Sequence, residues 1–183
     1  MDKKRMQAVT SSFIDAIGED PTREGLRDTP RRVADMYAEL TEGYAMSPKE
    51  ILAREWSEVS GMVVAKNISF FSLCEHHILP FYGNVHIGYI PAKAVVGLSK
   101  LVRLVDCFSK RLQLQERMTK QIADALNDTL HPLGVVVVVQ ARHLCMEMRG
   151  VKSGADILTS ELRGQFEKFE TRNEFFNMLR KEV

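Results

Sequence analysis

Residues 62–91, MVVAKNISFFSLCEHHILPFYGNVHIGYIP, decide how this chain folds. The segments 62–73 and 81–91 are rich in β-branched and aromatic residues, and both read as strands. The short link between them makes the pair antiparallel. That link opens with Cys74, Glu75, His76 and His77, in a chain with only three cysteines and five histidines. A polar turn and a metal site are both consistent with so crowded a link.

Working outward, GLSKLVRLVDCFSKRL (97–112) carries Leu101, Leu104, Val105 and Phe108 at helical spacing. QERMTKQIADALNDTL (115–130) repeats the pattern with Met118, Ile122, Ala125, Leu126 and Leu130, and Pro132 and Gly134 end it. GVVVVVQARHLCMEM (134–148) reads as a strand, DILTSELRGQF (156–166) as a fourth, and TRNEFFNMLRKEV (171–183) as a closing helix. Ahead of the hairpin, helices are expected over 3–17, from DTPRRVADMYAEL (28–40), and after Ser47. The fold class is therefore α+β: a four-stranded antiparallel sheet in ββααββ order with two helices on one face. A helical arm (1–60) precedes the sheet domain (61–183), and a terminal helix follows the sheet within one structural unit.

The 183 residues suffice for one compact domain with a real core. A net charge of +1 gives no overall pull toward nucleic acid or membrane, so anion binding must come from local Lys and Arg clusters. No apolar run approaches the ~20 residues that span a bilayer. The N-terminus MDKKRMQAVTSSF has no apolar leader segment, and a cytoplasmic location is expected. Three unpaired-looking cysteines argue against a disulfide framework.

Cys74 and His77 form a C-x-x-H spacing that lets a thiolate and an imidazole converge on one ion. Alone, the spacing fits a structural turn equally well. Along strand 134–148 a period of two places Val135, Val137, Val139, Ala141, His143 and Cys145 on one face. His143 and Cys145 are then about 6.6 Å apart along that strand. Cys145 alone reads as a small buried hydrophobe; beside CEHH it becomes a third ligand. Three ligands leave a position open, as catalytic zinc sites do. His76 and His143 are then non-ligand histidines suited to proton transfer, and Glu75 a carboxylate that orients a histidine. Cys107 reads as buried in its helix. Ser99, Lys100 and Arg103 open a helix after Gly97, where cations are unfavourable unless an anion offsets them. A solvated basic face explains them equally well. Arg149 is placed to join them, and Glu116 is either a helix-start carboxylate or an acceptor for paired N–H donors.

TPRRVADMY, CEHHILPFYGNVHIGYIP, GLSKLVRLVDCFSKRLQLQERMT, RHLCMEMRGV and LTSELRGQF resemble GTP cyclohydrolase I, in order from about residue 18 to residue 180. The resemblance implies the tunnelling fold. It also implies one catalytic zinc per subunit on Cys74, His77 and Cys145. In the reaction that the resemblance implies, water attacks C8 of GTP, the imidazole ring opens and formate leaves. Rearrangement of the ribose then yields 7,8-dihydroneopterin triphosphate, the first step of tetrahydrofolate and pterin biosynthesis. By the same resemblance His76 and His143 handle protons, and Glu116 with Gln115 and its backbone holds the guanine edge. Ser99, Lys100, Arg103 and Arg149 cradle the triphosphate, and Arg32 reaches it from a neighbouring subunit. Subunits are implied to join sheet edge to edge into a decamer with sites between them.

Glu147 and Asp35 stand where many members carry basic residues, and the loop GVKSGADILTS departs slightly from the common form. These touch no implied ligand. The chain starts close to its first helix, so control by an accessory protein is not expected. The alternatives are a related pterin or deazapurine enzyme of the same fold, such as a nitrile reductase with a nucleophilic cysteine, and a catalytically silent zinc or GTP-binding protein.

Overall fold

The computed structural model describes residues 1–53, 55–56 and 61–180. The elements are α1 (Lys3–Ala16), α2 (Thr29–Leu40), α3 (Pro48–Ile51), β1 (Glu55–Trp56), β2 (Val63–Cys74), β3 (Pro80–Ile90) and β4 (Ala94–Val95). They continue as α4 (Leu98–Ser109), β5 (Leu112–Gln113), α5 (Gln115–Leu130), β6 (Gly134–His143), α6 (Leu144–Glu147), β7 (Ile157–Gly164) and α7 (Phe169–Arg180). None of the helices among the described residues is long and apolar enough to cross a membrane. The chain divides into two compact units, Met1–Glu42 and Gly43–Val183. The arm boundary expected at 60/61 abuts residues 57–60, and the expected end of the last helix includes 181–183; both segments lie outside the described residues.

In the first unit the Asp2 carboxylate accepts from the Arg5 N–H at 3.0 Å and starts α1. α1 packs on α2 around Ile14 and Ala34. Asp35 joins the helices by accepting from Lys3 Nζ at 2.8 Å. Arg32 is exposed on α2 and pairs with Asp28 at 3.6 Å.

The second unit is built on a five-stranded sheet of order β5-β2-β3-β6-β7. The four long strands run antiparallel, as expected, and β5 adds two residues parallel to β2. So short a strand leaves no periodic signal, which is why four strands and not five are legible in the sequence. A separate two-stranded ladder joins β1 to β4.

β6 is buried on both faces. Val135, Val137, Val139 and Ala141 meet α4 and α5 through Leu101, Leu104, Val105, Met118, Ile122 and Leu126. Val136 and Val138 face the other way, toward Phe175 of α7 and Phe166 just ahead of that helix. A five-valine run is the composition such a doubly covered strand needs.

Because β2 and β6 both run antiparallel to β3, their C-terminal ends lie at the same end of the sheet. The start of β3, the end of β5 and the start of α5 lie there too. That end carries the candidate site.

Candidate metal centre and active-site cavity

The turn after β2 is closed by backbone bonds. Ile78 N–H donates to Cys74 C=O at 2.8 Å, and Cys74 N–H to Leu79 C=O at 2.8 Å. Closing it places Ile78 at φ 56°, a left-handed conformation that a β-branched residue rarely adopts. Such strain persists only where the surroundings impose it. Here the turn turns the thiol of Cys74 inward and leaves His76 and His77 exposed.

Sequence periodicity extends the sixth strand through Met148, but the structure ends it at His143 and turns Leu144–Glu147 into α6. The side-by-side placement of His143 and Cys145 on one extended face is therefore replaced by a strand end and a helical turn. Arg142 grips Glu147 through two bonds of 2.8 and 2.7 Å, and this turns the chain back on itself. The turn carries Cys145 toward Cys74 and His77, so that the Cys74, His77 and Cys145 donor atoms lie within 4.8 Å of one another. Two thiols and an imidazole that converge this closely match a zinc donor set. Burial, and then hydrogen bonding with Cys74, push the Cys145 thiol above its ordinary pKa.

These residues line a cavity of about 450 Å³ together with His76, Gln115, Glu116, His143 and Arg149, a size suited to a small molecule. Glu116 lies exposed in the first turn of α5, whose leading N–H groups have no intrahelical acceptor. Arg149 Nη1 lies 2.8 Å from His77 Nε2. A guanidinium is always a donor, so that nitrogen of His77 accepts. Burial holds His143 below its ordinary pKa, against the opposing charges of Glu116 and Glu147.

The cavity does not include every residue singled out in the sequence. The carboxylate of Glu75 is not on a histidine but on Arg117 Nη2, and Arg117 Nε also donates to Gln113 Oε1 at 3.1 Å. Glu75 thereby ties the CEHH turn to α5. Ser99, Lys100 and Arg103 open α4 but do not line the cavity; Lys100 Nζ donates to Ala53 C=O at 2.9 Å. The Gln115 amide is engaged inside the protein, where its nitrogen contacts Val139 and Ile157 carbonyls. Cys107 is fully buried, as expected.

Two contributors escape sequence reasoning. Phe81 stacks on His143 with centroids 4.7 Å apart and planes 2° apart. Arg117 holds Glu75. The alternation of the third strand marks Phe81 as core and carries no sign that its neighbour is a histidine. Arg117 reads as one more exposed cation on a helix.

The structure of an archaeosine synthase QueF-Like in the apo form superposes with a TM-score of 0.50 at 20 % identity, over 58 % of this chain and 97 % of that one. The α+β tunnelling-fold architecture is thus shared with a solved protein. Sequence likeness runs further. The chain is 54 % identical to the GTP cyclohydrolase 1 of Bacteroides fragilis, over 92 % of this chain and 89 % of that protein. It is 51 % identical to that of Desulforamulus reducens over 98 % of each, and 48 % identical to that of Hyperthermus butylicus over 95 % and 89 %. The GTP cyclohydrolase I family model matches residues 6–180. Identity near one half, sustained along almost the whole length, is decisive: this chain belongs to the GTP cyclohydrolase I family.

Proposed function

We propose that this protein converts GTP and water to 7,8-dihydroneopterin triphosphate and formate, with Cys74, His77 and Cys145 holding zinc. The observation that carries the reading is the convergence of that donor set with His76, His143, Glu116 and Arg149 in one cavity. When bound, zinc supplies the acidity that makes water a nucleophile at neutral pH. The protein's own residues do the rest. Glu116 offers two carboxylate oxygens to the paired N–H donors of the guanine edge, beside the unpaired backbone N–H groups at the start of α5. His76 and His143 accept and return protons at the purine nitrogen and at the ribose oxygen as the ring opens. Glu75 serves through Arg117 by keeping the CEHH turn in place. Arg149 moves between His77 and the substrate phosphates.

The triphosphate needs more cations than Arg149, and the basic start of α4 does not line the cavity of its own chain. We assign Ser99, Lys100 and Arg103, with Arg32, to sites completed by a neighbouring copy. Among the described residues β7 has a free outer edge, and β5 covers only the last two residues of β2. Edge-to-edge pairing of copies removes both exposed edges and supports a closed homo-oligomer, read as a decamer. Every cavity residue lies in 61–183, the proposed catalytic domain, with 1–60 as the helical arm. The pathway served is pterin and folate formation, in the cytoplasm.

The test is to incubate zinc-loaded protein with GTP isotopically labelled at C8. Labelled formate and a fluorescent oxidised pterin are expected in equal amounts. Intact GTP after incubation with correctly assembled, metal-loaded protein overturns the reading.

A further inference from the structure

The amide of Gln115 is 2 % exposed at the first position of α5. Three oxygens surround its Nε2: Ile157 C=O at 3.0 Å, Val139 C=O at 3.2 Å and Thr159 Oγ1 at 3.2 Å. Carbonyl oxygens only accept, so the nitrogen end of the amide must face them. A flipped amide sets Oε1 against two carbonyl oxygens, with no donor between them.

The neighbouring hydroxyls are fixed in direction by the same logic. Thr119 Oγ1 lies 2.8 Å from the Gln115 backbone C=O, an obligate acceptor, and so spends its single proton there. Thr159 Oγ1, 2.6 Å from Thr119 Oγ1, must therefore donate to it. Its lone pairs are then left to accept from Gln115 Nε2. The loop Gln115–Thr159–Thr119–Gln115 has one consistent set of donors.

One atom of the amide remains, Oε1, and it lies 2.7 Å from His143 Nε2. It can only accept, so His143 Nε2 must carry hydrogen. The parallel Phe81 ring, with centroids 4.7 Å apart, sets the plane of the imidazole. We infer that Gln115, locked by Thr119 and Thr159, is a positioning residue. It holds His143 as the Nε2–H form in a fixed plane, so that Nδ1 is the nitrogen that exchanges the proton during reaction. This rests on the reading of His143 as a proton-handling group. It gives the Gln115 side chain a task other than holding the guanine edge.

The first arm of the test uses the full-length wild-type chain with nitrogen-labelled histidine, at a pH where His143 is neutral. The His143 signals are assigned by their loss in His143→Asn. A protonated Nε2 with a bare Nδ1 is expected; a bare Nε2 with a protonated Nδ1 overturns the inference. This arm needs no turnover, so a protein that shows the expected ring form yet leaves GTP intact disproves the proposed function and not the positioning.

The second arm is Gln115→Met, which keeps length and loses the acceptor. Expected are a kcat lowered about ten- to hundredfold, as for a misplaced proton-transfer group, a KM for GTP within about threefold, and a mixture of His143 ring forms. An unchanged kcat with a raised KM shows that the side chain binds the base, and overturns the inference. Thr159→Val should lower kcat in the same direction by less, and Thr159→Ser should restore it. Unchanged metal content certifies that the variants fold; if Gln115→Met loses metal, the wild-type spectrum and the Thr159 pair decide.

Discussion

Gly83→Ala is predicted to damage stability and chemistry together. Gly83 pairs with Ala141 within the β3–β6 ladder. A Cβ at residue 83 lies 1.9 Å from Gln140 C=O and 2.7 Å from Ala141 Cα, whereas real Cβ contacts essentially never fall below 3.0 Å. Both obstacles are backbone, so no rotamer change relieves them and the two strands must separate. Overpacking of this kind costs about 1–3 kcal/mol, and an unyielding backbone sets the expectation at about 2 kcal/mol or more. For a chain of this size that lowers Tm by about 4–8 °C, measured at fixed protein concentration. Two residues away in the same ladder, Phe81 pairs with His143, so the separation reaches the stacked ring proposed to handle protons. Turnover should therefore fall by more than the folded fraction explains. Gly61 is the control, because a Cβ there meets nothing within 4 Å, and Gly61→Ala should leave Tm within about 2 °C. A Gly83→Ala variant with wild-type Tm and turnover would refute the close-approach argument.

Cys145→Ser should lower zinc content and GTP turnover in parallel, since a three-ligand site has no spare donor; full turnover at normal zinc occupancy contradicts the assignment. Lys100→Ala should raise the KM for GTP about tenfold while kcat stays within about threefold, as for loss of one charge-assisted phosphate contact, and an unchanged KM removes Lys100 from the site. His86 accepts from the Asn67 N–H through Nδ1 at 3.3 Å, and burial followed by the Lys66 charge holds its pKa down. A histidine depressed in the folded state contributes stability above its unfolded pKa of about 6.5 and loses that contribution as pH falls toward the folded value. Tm should thus drop between pH 7.5 and 5.5 more steeply in the wild type than in His86→Gln, and parallel curves would refute the link.

Much of this molecule is legible in its sequence because burial leaves periodic traces. The hairpin around CEHH, the valine run and the stripes of α4 and α5 each follow from one-sided or two-sided contact with a single core. The shortfalls share a cause. Period two continues formally through HLCMEM, but the Arg142–Glu147 grip bends the chain at His143, and pattern counting does not see a side-chain pair. Gln115 enters the sequence reading only through the family resemblance, with Glu116 at the guanine edge, yet β6 and β7 bury its amide and supply its partners. Cys145 is legible as a candidate ligand only in company, because a lone thiol on an apolar strand is ordinarily core. The cations of α4 read equally as an anion site or a solvated face, and their spacing along the chain carries no sign that they lie outside the cavity of their own chain.

The central claim is that the Cys74, His77 and Cys145 site drives GTP ring opening. The most direct test strips the assembled protein of metal, reloads it with zinc to graded occupancy, and measures formate release from GTP on each sample. The account predicts turnover proportional to zinc per subunit, vanishing when the site is empty. Formate release that is independent of zinc content, or absent at full occupancy, would contradict it.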